Sequence, residues 1–321
     1  MRAVVYRRYG PPDVLETVDA DDPVPRAGEV KVRVRAASLN PLDAKLRAGH
    51  LRLLPTVDRP PRGTGVDFAG DVVATGGNTP GVFPGMRVFG SLSPFRRAGS
   101  CAEYLCVRSE RLAPVPDALT DAVAAALPIA AGTAVQALAD HATLAPGMRV
   151  LVIGAAGGVG HFAVQYAKHV GAHVTATCGA DNVAFVASLG ADAVIDYARD
   201  DATRDAATFD VVFDVAGRSS FGAMRRHLAP EGVYLNTCGD AGAVAQTIGS
   251  SVAARITGRQ RVVALAIRGG SGAWRRLAGL AVERALVPHV RATIGLVQVA
   301  DAHRELDAGH GRGKIVVEPS S

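Results

Sequence analysis

The stretch Arg149-Val-Leu-Val-Ile-Gly154-Ala-Ala-Gly157-Gly-Val-Gly160-His-Phe-Ala-Val-Gln-Tyr-Ala-Lys168 sets Gly154, Gly157 and Gly160 at a spacing suited to gripping a diphosphate. Val150 to Ile153 form a short apolar run, as expected of a parallel strand covered on both faces. Beyond the glycines, Ala163, Tyr166, Ala167 and Val170 recur at helical spacing. In that setting Gly154, Gly157 and Gly160 let the backbone bend sharply, approach an anion closely and pack helix against strand. Amides at the helix start then face the phosphates. Ala156, Gly158 and Val159 complete the turn. Glycines alone also serve ordinary turns; a strand before and a helix after make dinucleotide binding the stronger reading.

The elements around this turn fall into two kinds. Residues 2 to about 115 are rich in strand and turn signals: Ala3–Tyr6, the strictly alternating Glu29-Val-Lys-Val-Arg-Val-Arg35, 65–75, Gly85–Phe89 and Cys101–Val107. This half reads as a mostly antiparallel β-domain. From Asp117 the character changes. Two short helices are expected over Leu119–Ala126 and Thr133–Ala139, joined through Pro128 and Gly132. Strands follow at Val150–Ile153, His173–Thr177, Ala193–Ile195, Val211–Val215, Val233–Thr237 and Val262–Ile267, with helices at about 161–170, 181–189 and 219–228. That alternation predicts a doubly wound parallel α/β sheet. A last helix (Ala300–Leu306) and strand (Lys314–Val317) are expected to return to the β-domain. The expected domains are 1–117 with 290–321, and 118–289.

Composition sets limits on function. The chain has 321 residues, 48% hydrophobic and 20% charged, an ordinary globular balance with room for two cores. Its net charge of +5 is scattered in pairs such as Arg7-Arg8 and Arg275-Arg276, so nucleic-acid binding is a minor reading. Four cysteines without a CxxC fit reduced thiols and a cytoplasmic protein. No signal peptide is expected from the opening residues, and the alanine-rich 122–135, broken by Pro128, is too short to span a bilayer.

A β-domain, a central dinucleotide fold and a returning C-terminus resemble the medium-chain dehydrogenase/reductase superfamily. Within it the chain looks like the zinc-independent quinone oxidoreductase and enone reductase branch. The resemblance covers essentially the whole length. It is carried by Ala-Ala-Ser-Leu-Asn-Pro-Leu-Asp-Ala-Lys (36–45), Gly-Val-Asp-Phe-Ala-Gly (65–70), Pro-Gly-Met-Arg-Val-Phe-Gly (84–90), the glycine turn, Leu-Gly-Ala-Asp-Ala-Val-Ile-Asp-Tyr (189–197) and Gly-His-Gly-Arg-Gly-Lys-Ile-Val-Val (309–317). It implies a Rossmann domain and a GroES-like β-domain completed by the C-terminus.

The resemblance also bears on metal. Zinc-dependent relatives hold a catalytic zinc through a cysteine, a histidine and a further cysteine or carboxylate. At the first position this chain has Asn40, and in place of a His-Glu pair it has Val66-Asp67. A neutral amide is a poor ligand and valine is none. The loop near Ser91–Gly99, where relatives carry a four-cysteine structural zinc, has no cysteine. No metal is expected. Without a Lewis acid, the easier chemistry is hydride delivery to an already activated acceptor, a quinone or an α,β-unsaturated carbonyl.

Coenzyme preference rests on the end of the second strand of the doubly wound sheet, Ala176-Thr177-Cys178-Gly179, where no carboxylate awaits the ribose hydroxyls. That favours NADPH, with NADH as the alternative. Relatives often carry a basic residue just beyond; here stand Asp181, expected as a helix N-cap, and Asn182. The resemblance adds Tyr197 at the adenine, Thr133, Ala216, Gly217, Asn236 and Thr237 at the nicotinamide end, and Lys314 as a further coenzyme contact. It assigns Asn40 and Asp43 to the reacting centre, Asn40 as a donor to the substrate carbonyl and Asp43 as a cap or loop-orienting group. Tyr9, Arg47 and His50 are other candidate donors. The expected partners are a small-molecule quinone or enone and a second copy of the chain, through an edge strand at 262–267. Alternatives are an enoyl-thioester or polyketide-tailoring reductase and, in other classes, a nucleic-acid binder or a non-catalytic coenzyme-binding relative.

Overall fold

The computed structural model describes residues 1–53, 56–200, 208–237, 259–265, 267–309 and 311–320. Cys238 and Ala266, the latter inside the expected last strand of the parallel sheet, lie outside the described residues. The chain divides into two units: 1–132 with 268–284 and 288–321, and 133–267 with 285–287.

In the first unit β1 (Arg2–Tyr6), β2 (Leu15–Asp19), β3 (Glu29–Leu39), β4 (Arg62–Gly63), β5 (Asp67–Thr75), β6 (Arg87–Ser91), β7 (Tyr104–Arg108) and β8 (Leu112–Pro114) follow in chain order, with α1 (Pro41–Ala48) after β3. Alternation decides which face of β3 is buried. Val30, Val32 and Val34 are fully inside, while Arg33 and Arg35 face water. Beyond Arg35 both faces are covered, so β3 continues to Leu39, four residues past the alternating run, through a register shift between Val34 and Ala36. β15 (Val290–Ile294), α8 (Val299–Ala308) and β16 (Lys314–Val317) return to this unit. The main sheet has the order β15-β16-β3-β5-β6-β8, with β7 also paired to β3; β2-β1-β4 form a smaller one. Valines of β3, Phe68, Val72, Val88 and Leu105 pack with Leu296, Val299, Ile315 and Val317 of the returning segment. The C-terminus is thus part of this core.

The helices α2 (Asp121–Ala126) and α7 (Ser271–Val282) fall in the β-rich unit, within the 118–289 range expected for the parallel-sheet domain. Contacts explain the grouping of α7. Its Trp274 is buried and donates from Nε1 to the Arg111 carbonyl at 3.0 Å, beside β8. The expected helix 133–139 starts earlier: α3 (Pro128–Val135) runs through Gly132 and continues as a wider turn over Gln136–His141. Pro128 opens the helix, where its missing N–H costs nothing.

In the second unit β9 (Arg149–Ile153), β10 (His173–Cys178), β11 (Ala193–Asp196), β12 (Phe209–Asp214), β13 (Leu228–Asn236) and β14 (Arg261–Ala264) form a parallel sheet in the order β11-β10-β9-β12-β13-β14. Its helices include α4 (Gly160–Val170), α5 (Val183–Ser188) and α6 (Phe221–Met224). Strand order reverses between β9 and β12, which sets a crevice at their carboxyl ends.

Candidate active site

At the reversal point the glycine turn leaves β9. Gly154 has φ +85°, and a Cβ there would meet the Ala216 Cβ at 2.8 Å, so the turn after β9 and the turn after β12 touch. The amides of Gly154 and Ala155 both donate to the Thr177 carbonyl, at 3.2 and 2.9 Å, which ties the turn to the end of β10. A Cβ on Gly160 would lie 2.2 Å from the Gly154 carbonyl oxygen and 2.8 Å from the Ala155 Cα. Only glycine fits there, because helix and turn pack backbone to backbone. Gly157 differs: a Cβ would find nothing nearer than 3.6 Å. Protein packing therefore does not require glycine at 157. The amides of Gly158, Val159 and Gly160 have no acceptor among the described residues. Together they make a cradle with open space and unspent donors at a helix start, a seat for a diphosphate.

The rest of the rim comes from the neighbouring strand ends. Asp214, fully buried, accepts from the amides of Arg218 (3.2 Å) and Ser219 (2.8 Å) and from the Tyr234 hydroxyl (3.1 Å). It fixes the turn that holds Ala216 and Gly217, with Gly217 at φ +64°. Burial and the Asp214 charge raise the Tyr234 pKa well above its usual value. Thr237 donates from its hydroxyl to the Val215 carbonyl at 2.8 Å, and Asn236 Oδ1 is buried with no partner. An orphaned acceptor at this rim suits an amide donor such as a nicotinamide carboxamide. Cys178 is buried, and Tyr197 places its hydroxyl 3.1 Å from where a Gly179 Cβ would be. Asp181 is not the helix cap expected of it. It sits exposed in the 3-10 turn Ala180–Asn182, and Asn182 holds the N-cap position of α5. Thr133 lies inside α3.

Lys314 belongs to the first unit, with Asn40 and Asp43. Strand register explains why. Ile315 of β16 faces Leu39 at the end of β3, and Ser38 of β3 faces Asp67 at the start of β5. Three strand ends thus meet at Asn40. Lys314 Nζ donates to the Leu39 carbonyl at 2.8 Å and to Asn40 Oδ1 at 2.6 Å. Asn40 Nδ2 donates to Asp67 Oδ2 at 2.9 Å, and the Ile129 amide reaches the same oxygen at 3.2 Å. Asp43 Oδ2 accepts the Asn40 amide at 2.8 Å, capping α1, with Pro41 at its first position and Gly49 closing it at φ +81°. The sequence patterns had predicted no helix here. Asn-Pro-x-Asp followed by glycine was the signal that marks it.

Burial governs the charges here. It raises Asp43 to about 7 and Asp67 to about 6, the latter opposed by Lys314 and the Asn40 bond, and lowers Lys314 from the usual lysine value. Asp43 binds its proton more tightly folded than unfolded. Stability from this group is therefore full below about pH 4 and is lost as pH rises toward about 7. We expect Asp43→Asn, which keeps an acceptor for the cap, to flatten the pH dependence of unfolding across that window. Urea midpoints at several pH values check this; parallel slopes for both proteins would contradict it.

Of the other candidate donors, Arg47 is buried and spends its Nη2 on Asp307 at 2.9 and 2.7 Å, an ion pair between α1 and α8. His50 is exposed just after α1, and the Tyr9 hydroxyl is buried without a partner. The positions at which relatives bind catalytic zinc do not fit it. Val66 is apolar, and an ammonium already occupies the Asn40 oxygen. Among the described residues no group of three His, Cys, Asp or Glu side chains is disposed to hold a metal ion.

Comparisons with known proteins agree with this architecture. The alcohol dehydrogenase GroES-like domain is matched over residues 26–117, and a zinc-binding dehydrogenase domain over 189–317. The chloroplast envelope quinone oxidoreductase homolog of Arabidopsis thaliana is 33% identical over 99% of this chain and 98% of its own length. An NADPH-dependent alkenal/one oxidoreductase of the same plant, also chloroplastic, is 38% identical over 68% of this chain and 58% of its own. The solved quinone oxidoreductase of Coxiella burnetii superimposes with a TM-score of 0.88 at 30% identity, covering 99% of each chain.

Proposed function

Because the chain belongs to the quinone oxidoreductase branch of the medium-chain dehydrogenase/reductase superfamily, we propose that it reduces a quinone or an α,β-unsaturated carbonyl with NADPH. The observation that carries this reading is the space over Gly157 beside three unspent amides, in a turn whose Gly154 and Gly160 are tightly packed. A side chain there would fill the place of a diphosphate. Gly154, Ala156, Gly157, Gly158, Val159 and Gly160 hold the diphosphate; Cys178, Gly179, Asn182 and Tyr197 flank the adenosine; Thr133, Ala216, Gly217, Asn236 and Thr237 position the nicotinamide.

A reduced nicotinamide held there supplies a hydride. The protein's own contribution is to bind, orient and stabilise charge. For an enone, a C–H bond forms at the β-carbon and the alkene electron pair moves onto the carbonyl oxygen. A solvent proton then completes the saturated ketone. A quinone takes the hydride and one proton to become the hydroquinone. Asn40 Nδ2 gives one N–H to Asp67; its second N–H is the donor to the oxygen that gains charge. Asp43 acts by capping the helix behind Asn40. Holding donor and acceptor together lowers the barrier further, because their translational entropy is already lost.

NADPH is preferred over NADH in this reading because β10 itself ends in small uncharged residues, with no carboxylate of its own to take the ribose hydroxyls. The homodimer belongs to the same proposal: β14 is the outer strand of its sheet, where a second copy would continue the pairing. So does a cytoplasmic location, supported by cysteines that are free among the described residues. No described helix is long and apolar enough to cross a membrane. The deciding experiment follows absorbance of NADPH and NADH with a panel of quinones, enones and enoyl thioesters. We expect oxidation with quinones or enones, faster with NADPH; coenzyme binding without turnover on any acceptor would contradict the reading.

A further inference from the structure

We propose that Lys314 is a positioning residue that fixes and polarises the Asn40 amide, rather than a contact of the coenzyme. The inference rests on the function proposed above and assigns a role to a side chain that the resemblance had placed on the coenzyme.

An asparagine amide has two nearly isosteric ends, and its surroundings choose between them. Around Asn40 the choice is forced. An ammonium can only donate, so Lys314 must face Oδ1; a carboxylate can only accept, so Asp67 must face Nδ2. Both bonds are charge-assisted, at 2.6 and 2.9 Å, and all three residues are buried, Lys314 at 2% and Asn40 at 3% exposure. Lys314 is further anchored by the Leu39 carbonyl. Its ammonium thus faces the interior of its own unit, with two of its three N–H bonds already made there.

The consequence is chemical. With Oδ1 held by a cation, electron density is drawn from the amide nitrogen, and its remaining N–H becomes a stronger donor. The same clamp keeps that N–H, and not the carbonyl, toward the acceptor oxygen as negative charge gathers on it. Without Lys314 only the Asp67 bond still holds the amide, and Oδ1 loses the cation that anchors and polarises it.

The test uses Lys314→Gln, Lys314→Arg, Asn40→Ala and the double variant Lys314→Gln with Asn40→Ala, assayed with NADPH and an acceptor that the wild type reduces. For Lys314→Gln we expect the NADPH Kd to stay within about twofold while kcat falls about 10- to 100-fold, the scale of losing one oriented donor. Lys314→Arg should recover part of kcat. The double variant should be no slower than Asn40→Ala alone, because Lys314 acts only through Asn40. Should Lys314→Gln fail to fold, Lys314→Met combined with Asp67→Leu removes both buried charges and should show the same fall in kcat at unchanged NADPH affinity. A tenfold weaker NADPH Kd with kcat preserved, or a double variant slower by the product of the single effects, would overturn the proposal. Wild-type protein that binds no coenzyme would instead overturn the function on which it rests.

Discussion

Gly157→Ala should leave the melting temperature unchanged and weaken NADPH binding about a hundredfold, the scale on which a shift of about 1 Å in a bound group acts. The protein itself offers a new Cβ at 157 ordinary contact, at 3.6 Å from the Gly154 oxygen. A loss of binding would therefore report the ligand's own need for that space. Gly160→Ala is the matched opposite. Its Cβ would sit 2.2 Å from a carbonyl oxygen and 2.8 Å from a backbone carbon, and neither can move without shifting the turn. We expect it to cost about 1–3 kcal/mol of stability, as overpacking does elsewhere, and to lose binding through the damaged turn. Thermal melting and titration calorimetry on the two variants separate the effects. Wild-type affinity in Gly157→Ala, or equal destabilisation by both substitutions, would show that the glycines serve packing alone.

Asp67→Ala should destabilise the fold by at least about 3 kcal/mol, the scale seen when one member of a buried charge pair is removed. Asp67 is fully buried at the start of β5 and supports Lys314 through space and through Asn40. With the carboxylate gone, the Lys314 ammonium stays in the core without its compensating charge, and Asn40 Nδ2 loses its acceptor. Denaturant unfolding measures the loss. A change below about 1 kcal/mol would mean that water reaches Lys314 and that the cluster is not a closed ionic core.

Sequence patterns were most legible where one residue's neighbours in the chain decide its place. The alternation of Val30, Val32 and Val34 against charged partners fixed a half-buried strand, and the order of strands and glycines from Arg149 to Lys168 fixed the turn and helix. Capping chemistry around Asn40 is equally local, and the residues Asn40-Pro41-Leu42-Asp43 with Gly49 carry the signal for the helix it starts. What sequence could not supply was register. Lys314 meets Asn40 only because β16 lies beside β3 with Ile315 opposite Leu39, a pairing across 276 positions of the chain. Asp67 joins them for the same reason, through β5. Asp214 was invisible too: nothing near it in sequence signals that its carboxylate will gather two turn amides and a tyrosine hydroxyl. The grouping of Ser271–Val282 with the β-rich unit depends on where Trp274 finds a carbonyl, in the turn just before β8 and more than 150 residues earlier.

The proposed seat of the coenzyme diphosphate, the turn between β9 and α4, is open to direct observation. A crystal structure of the protein grown with saturating NADPH tests it most directly. Diphosphate oxygens are expected within hydrogen-bonding distance of the amides of Gly158 and Val159, over the open face of Gly157. Coenzyme density elsewhere on the protein, with that turn vacant, would contradict it.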